Sequence, residues 1–76
     1  MRRHRNAVGP RIKVLREQKK LSQERMAAKL GVLGWDATRF MVAKIETGLR
    51  CVTDQELVII AKVLNVPIQE IFAGVT

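Results

Sequence analysis

Residues 21–48 read LSQERMAAKLGVLGWDATRFMVAKIETG, and the spacing of their apolar residues predicts two short helices joined by a turn. The first helix has its inward-facing residues at Met26, Ala27 and Leu30, and the second has them at Thr38, Met41, Val42 and Ile45. Within each set the residues lie three and four positions apart, as on one face of a helix. Ser22 and Asp36 are candidate N-caps, because their side chains can accept a free backbone N–H of a first turn. Gly31 and Gly48 are candidate helix ends, where a residue tolerating positive φ is common.

Charge is distributed unevenly along the chain. Residues 1–30 carry ten basic and two acidic side chains, whereas residues 31–76 carry four basic and five acidic ones, within a net charge of +7. A basic half beside a nearly neutral half favours a polyanion as partner. The alternative interpretation is a solvated surface that serves solubility alone.

Several function classes find no support in the composition. A single cysteine, Cys51, excludes an internal disulfide, which is typical of a reducing, cytoplasmic setting. One Cys and one His cannot supply the three or four ligands of a zinc site, and they offer no base–nucleophile pair for an enzyme. The longest apolar run, residues 57–61, is far shorter than the roughly 18 residues of a membrane helix. No membrane association, cofactor or small-molecule ligand is expected.

The motif and its surroundings resemble the Cro/repressor-type (XRE-like) helix-turn-helix family. The matching residues are Leu21-Ser22-Gln23, Ala27, Leu30-Gly31, Lys44-Ile45-Glu46 and Gly48, followed by Leu57, Ile60-Ala61, Leu64, Val66 and Ile71-Phe72. The resemblance covers roughly residues 11–73 and implies an all-α fold, a five-helix lambda repressor-like DNA-binding domain. One departure stands out: residues 32–35 look like an insertion, so the turn exceeds the usual three or four residues.

The remaining helices are predicted from local signals. Helix 1 is expected over residues 10–19, helix 2 over 23–30 and helix 3 over 37–47. Thr53 and Glu56 have the spacing of a capping box at the start of helix 4, and Asn65 suits its left-handed end. Helix 5 is expected after Pro67. Residues 1–8 are predicted to be a flexible basic arm and residues 9–76 the DNA-binding domain.

A helix-turn-helix places its second helix in the major groove of double-stranded DNA. The outer face of helix 3 presents Arg39, Phe40, Ala43 and Lys44. Arginine can donate twice to guanine, and an apolar group can contact a thymine methyl, so Arg39 is the expected reader. Lys44 suits guanine or phosphate. Phe40 has two open interpretations, contact with a thymine methyl or packing onto the inserted turn.

The family resemblance adds further roles. It implies that Gln23 binds a phosphate, that Arg50 contacts another phosphate, and that Arg16 pairs with Glu46. For the lone Trp35, packing beside helix 2 is favoured over stacking on a base, because isolated aromatic residues usually serve burial. The predicted DNA-binding residues are Gln23, Thr38, Arg39, Phe40, Ala43, Lys44 and Arg50.

Helix 4 carries more apolar residues than one core face needs. Ile59 and Val63 are four apart and share a face, and Val58, Ile68 and Val75 add to the excess. An exposed apolar patch usually marks a partner surface, so a homodimer is predicted. In the alternative, Val58 and Ile59 pack under the N-terminal arm of a monomer.

Two functions follow from these predictions. The leading one is a sequence-specific DNA-binding regulator, expected to be a repressor. The alternative is an antitoxin-like interaction protein that binds both operator DNA and a partner protein, although no acidic toxin-wrapping tail is present.

Overall fold

Helices dominate the part of the chain that the computed structural model describes, which is the backbone of residues 3–4 and all of residues 8–73. They are α1 (Gly9–Gln18), α2 (Gln23–Val32), α3 (Arg39–Glu46), α4 (Asp54–Leu64) and α5 (Ile68–Phe72). The five-helix fold is therefore confirmed. Two short antiparallel strands, β1 (Arg3–His4) and β2 (Val52–Thr53), pair Arg3 with Thr53 and His4 with Val52. The sequence analysis did not predict this strand pair.

One apolar core holds the helices together. α3 packs against α2 and α1, α4 packs against α2, and α5 packs against α1 and α4. The buried core consists of Val8, Ile12, Leu15, Met26, Ala27, Leu30, Val42, Ile45, Val52, Leu57, Ile60, Ala61, Leu64 and Ile71. Val8, which the predicted boundary assigns to the arm, therefore belongs to the core. Residues 1–2 and 5–7 of that arm lie outside the described residues.

The ends of α2 differ in how well the sequence predicted them. Ser22 caps the helix as predicted, its hydroxyl accepting the Arg25 backbone N–H at 3.0 Å. The prediction that the helix ends at Gly31 is wrong, because α2 continues to Val32. The left-handed residue is Gly34, with φ +95°. Gly34 N–H donates to Gly31 C=O and Trp35 N–H donates to Leu30 C=O, both at 3.0 Å, which is the Schellman pattern.

α3 starts later than predicted. Its N-cap is Thr38 rather than Asp36, and the Thr38 hydroxyl accepts the Met41 backbone N–H at 3.2 Å. Thr38 has an extended backbone and an exposed side chain, so it is not part of the apolar face. Both Asp36 and Thr38 are residue types that cap helices well. Which of them caps α3 depends on where the preceding turn ends, and the sequence alone does not give that position.

α4 begins and ends as predicted. Thr53 and Glu56 form a complete capping box, and Asn65 ends the helix with φ 55°. Ile59 and Val63, predicted to form an exposed patch, are instead partly buried against the core. Val58 is exposed. Ile68 is also partly buried against the core, so the patch prediction needs correction for three of its residues, and Val75 lies outside the described residues.

Candidate nucleic-acid interface

α3 presents an exposed outer face because its inner face is held by the core. Val42, Ile45 and Glu46 are buried, while Arg39, Phe40 and Lys44 are exposed. The periodicity of three and four residues puts Phe40 and Lys44 on one stripe. This is the surface that the sequence analysis assigned to DNA.

Glu46 joins the three N-terminal helices through hydrogen bonds. Its carboxylate accepts Arg16 Nε at 2.6 Å and Arg16 Nη2 at 3.2 Å. Arg16 and Glu46 are only 7% and 5% exposed, so the predicted pair is buried. The hydrogen bond to Glu46 raises the pKa of Arg16 above its ordinary value. Arg16 Nη1 also donates to the Leu21 carbonyl at 2.6 Å.

Gln23 belongs to the same network. Its side-chain Nε2 donates to Glu46 Oε1 at 3.1 Å. An amide nitrogen carries two donors, and this hydrogen bond uses one of them. The structure thus ties the first turn of α2 to the last turn of α3, a link that the spacing of residues along the sequence does not reveal.

Arg39 and Phe40 form a contact of their own at the start of α3. Arg39 Cζ lies 5.0 Å from the centre of the Phe40 ring, within the range of a cation–π interaction. Phe40 is 65% exposed, which excludes the interpretation that it packs onto the inserted turn. Within residues 8–73, neither Arg39 nor Lys44 forms an ion pair. Their positive charges are therefore not offset by a carboxylate in direct contact.

Thr38 and Ala43, two further predicted DNA-binding residues, form hydrogen bonds within their own segment. The Thr38 hydroxyl accepts the N–H that it caps and is otherwise exposed at the start of α3. Ala43 is half-buried, and its carbonyl accepts the Thr47 hydroxyl at 3.0 Å. Thr38 thus precedes Arg39 as the cap of α3, and Ala43 lies within the helix.

Trp35 packs against the core, as predicted. Its ring also receives the guanidinium of Arg50, whose Cζ lies 5.5 Å from the ring centre. The sequence analysis did not anticipate this contact.

Arg50 forms an ion pair with Glu56, which the sequence predicted only as part of the capping box of α4. Its Nη1 and Nη2 donate to the two oxygens of Glu56 at 3.1 and 3.0 Å, and Nη1 also donates to the Cys51 carbonyl at 2.9 Å. The hydrogen bond to Glu56 raises the pKa of Arg50. The two residues are six positions apart, with Arg50 in the loop before α4 and Glu56 in its first turn, so no helical periodicity predicts the pair.

Among the described residues, we find neither a metal site nor a membrane-spanning helix. No group of three or more His, Cys, Asp or Glu side chains there is placed to hold a metal ion. None of the helices of residues 8–73 has the length and apolar character needed to cross a membrane.

Comparison with known families identifies the motif. A family model described as helix-turn-helix matches residues 12–71, which extend from the first turn of α1 to α5. No curated protein matches the chain.

Proposed function

The chain belongs to the Cro/repressor-type helix-turn-helix family of DNA-binding regulators, and from this membership we propose that it inserts α3 into the major groove of a specific operator and represses transcription. The exposed stripe of α3, with Arg39 and Phe40 at its start and Lys44 at its end, is the observation that carries the proposal. A helix held on its inner face by a buried network presents its outer side chains in one orientation.

The residues have distinct proposed roles. Arg39 donates to a guanine edge, and Phe40 supports the guanidinium from below while contacting a thymine methyl. Lys44 binds guanine or phosphate. Gln23 and the free N–H groups at the start of α2 bind a phosphate. Thr38 and Ala43 flank the reading residues and lie close to the DNA backbone or bases.

A homodimer is part of the same proposal. The exposed side chain of Val58 lines a groove of about 550 Å³ between α4 and α5 together with Lys62, Val66, Pro67 and Ile68. An isologous contact through this groove would place two copies of α3 on successive turns of DNA, about 34 Å apart. The same groove supports the alternative, an antitoxin-like protein that binds a partner protein as well as an operator.

Selection of bound sequences from a random DNA pool tests the proposal. We expect one enriched motif, nearly palindromic if the protein binds as a dimer. A pool that stays random after several rounds would contradict sequence-specific binding, while binding to a nonpalindromic motif would contradict only the dimer.

Arg39→Ala then tests the reader. We expect specific binding to weaken by about 1–3 kcal/mol and preference to relax at one base position, because a bidentate contact to one base is lost. Binding measured by gel shift on the selected motif and on its single-base variants decides it. Lys13→Ala, which removes one positive charge from the exposed surface of α1, is the control and should leave base preference unchanged. Unaltered affinity and selectivity in Arg39→Ala would exclude Arg39 as a reader.

A further inference from the structure

Arg50 contacts three separate segments of the chain with one side chain. Its guanidinium lies against the Trp35 ring in the α2–α3 turn, donates to the Cys51 carbonyl before β2, and pairs with Glu56 in the first turn of α4. We call the contacts among Trp35, Arg50 and Glu56 the Arg50 bridge. It connects the inserted turn to α4.

The inserted turn needs such a connection. Six residues, 33–38, separate α2 from α3, against about three or four in the usual motif. Of these, Leu33 and Gly34 are exposed, and only Trp35 and Ala37 pack against the core. The turn leads directly into Thr38, the cap of α3, and then into Arg39. The position of Trp35 therefore affects the position of the first turn of α3.

Glu56 is itself held in place at the other end of the bridge. Its carboxylate accepts the Thr53 backbone N–H at 3.0 Å, and its own backbone N–H donates to the Thr53 hydroxyl. A carboxylate fixed in a capping box gives a bidentate arginine one geometry. The guanidinium plane is thereby oriented toward the indole of Trp35.

These contacts make Arg50 a poor phosphate ligand. Both terminal nitrogens already donate to Glu56, whose charge offsets that of the guanidinium. Nη1 also donates to the Cys51 carbonyl, so a phosphate could take only the remaining Nε–H and second Nη2–H donors and would share the guanidinium with the carboxylate that the α4 cap holds.

From this geometry we infer that Arg50 is a positioning residue, which sets sequence discrimination by holding the inserted turn and hence the start of α3 in register with α4. This inference rests on the proposed function of α3 as the reading helix. It replaces the phosphate contact that the family resemblance implied for Arg50.

Two substitutions separate the positioning role from a phosphate contact. Arg50→Met removes the guanidinium, and Glu56→Gln removes the partner charge while keeping a residue that can complete the capping box. If Arg50 positions α3, both variants lower the ratio of specific to non-specific affinity about tenfold, the loss expected when one base contact worth about 1.4 kcal/mol is misplaced.

A phosphate contact predicts a different pattern. Arg50→Met would then weaken specific and random DNA equally, since phosphate contacts carry no sequence information. Arg50→Met would also flatten the slope of log affinity against log salt by about 0.9, the value of one phosphate contact, and Glu56→Gln would free the guanidinium and strengthen both kinds of binding. That pattern would overturn the inference.

Trp35 provides a readout that does not involve DNA. It is the sole tryptophan and the chain has no tyrosine, so its fluorescence reports the inserted turn directly. We expect Arg50→Met and Glu56→Gln, checked for helicity, to increase acrylamide quenching of Trp35. Unchanged quenching in the folded variants would overturn the bridge.

The Arg11–Glu70 pair supplies a matched control. It also has a 3.0 Å contact and joins α1 to α5 without contacting the inserted turn. Glu70→Gln should alter neither quenching nor discrimination. Increased quenching with discrimination intact would reject the positioning role but leave the proposed function standing. Absence of discrimination in the wild-type protein would reject both.

Discussion

Glu46 is the residue on which the geometry of the motif depends most. It is buried at the last turn of α3 and accepts hydrogen bonds from Arg16 of α1 and Gln23 of α2. Within the described residues, no buried side-chain nitrogen or oxygen lacks a partner, so the network is complete. A buried ion pair is often no more stabilising than a well-packed apolar substitute, but removing one of its partners is costly.

Glu46→Ala should therefore lower the free energy of unfolding by about 3–5 kcal/mol, because Arg16 would remain charged and buried without its carboxylate. Chemical denaturation measures the change. Glu70→Ala breaks a more exposed pair and should cost about 0–1 kcal/mol. A loss below about 0.5 kcal/mol for Glu46→Ala would place it among ordinary surface substitutions and contradict the buried pair.

Glu56 makes the stability of the fold depend on acid pH. Partial burial alone would raise the pKa of its carboxyl, but the hydrogen bonds from Arg50 and from the Thr53 backbone N–H outweigh burial and lower the pKa. A folded-state pKa below the unfolded value means that the unfolded chain binds the proton more readily. The contribution of Glu56 is thus present above the unfolded pKa and is lost as pH falls through the folded pKa.

Denaturation of the wild-type protein should accordingly show a fall in the free energy of unfolding as pH drops below the ordinary carboxyl range of about 4. In Glu56→Gln, which cannot titrate, this fall should be shallower, and the difference between the two proteins should shrink with decreasing pH. Parallel curves for the two proteins would contradict the lowered pKa.

At the scale of elements, the four longer helices share one way of ending. Each has a left-handed residue just past its last turn, at Lys20, Gly34, Gly48 and Asn65. The residue that follows donates its backbone N–H to a carbonyl five residues earlier, as in Leu21 to Arg16 and Leu49 to Lys44. These Schellman ends satisfy carbonyls that would otherwise lack partners. They turn the chain sharply, which lets helices of 8–11 residues pack around one core.

Two glycines within helices should respond oppositely to alanine. A Cβ on Gly9 would collide with the Ile45 carbonyl oxygen and lie 3.0 Å from that of Glu46, so Gly9→Ala forces α1 away from α3 and destabilises the fold. Gly31 lies inside α2 with no atom within 4 Å of a Cβ, so Gly31→Ala should stabilise by about 0.4–1 kcal/mol.

Thermal unfolding of both variants checks these signs. Gly31→Ala serves as the control for the general effect of removing a glycine from the unfolded chain. Destabilisation by Gly31→Ala would contradict the position of this residue in the helix interior, and tolerance of Gly9→Ala would contradict the close approach of α1 to α3.

For the whole molecule, the two faces have different chemistry. The outer stripe of α3 carries cations without carboxylate partners among residues 8–73, whereas the groove between α4 and α5 is largely apolar. A domain of 76 residues buries a limited core, so association through the groove would add apolar burial and pair two reading helices.

Val58→Glu tests that association. Val58 is 44% exposed and lines the groove, so a charge there should shift the protein toward monomer with little loss of fold stability. Sedimentation at tens of micromolar gives the measurement, and Val14→Glu, at a valine 42% exposed on α1, is the control. A wild-type protein that sediments as a monomer, alone and on a palindromic site, would contradict the dimer. Ile59 and Val63 are unsuitable because they pack against the core.

The sequence alone determined the helix count, most of the core-facing residues and the exposed outer face of α3. These follow from local, repeating signals: apolar residues three and four apart, a hydroxyl at Ser22 or Thr53 before a helix, and Asn65 after one. The family resemblance identified the Arg16–Glu46 pair across 30 residues, which periodicity does not reveal.

Tertiary structure decided the features that depend on distances between segments far apart in the chain. The choice of Thr38 over Asp36 as cap, the pairing of Arg3–His4 with Val52–Thr53, and the engagement of Arg50 by Trp35 and Glu56 are of this kind. For the cap of α3, two residues, Asp36 and Thr38, were chemically adequate. Packing of the inserted turn and of α4 on the common core brought one of them within hydrogen-bond reach, and hydrogen bonds weaken too steeply with distance and angle for the other to compete.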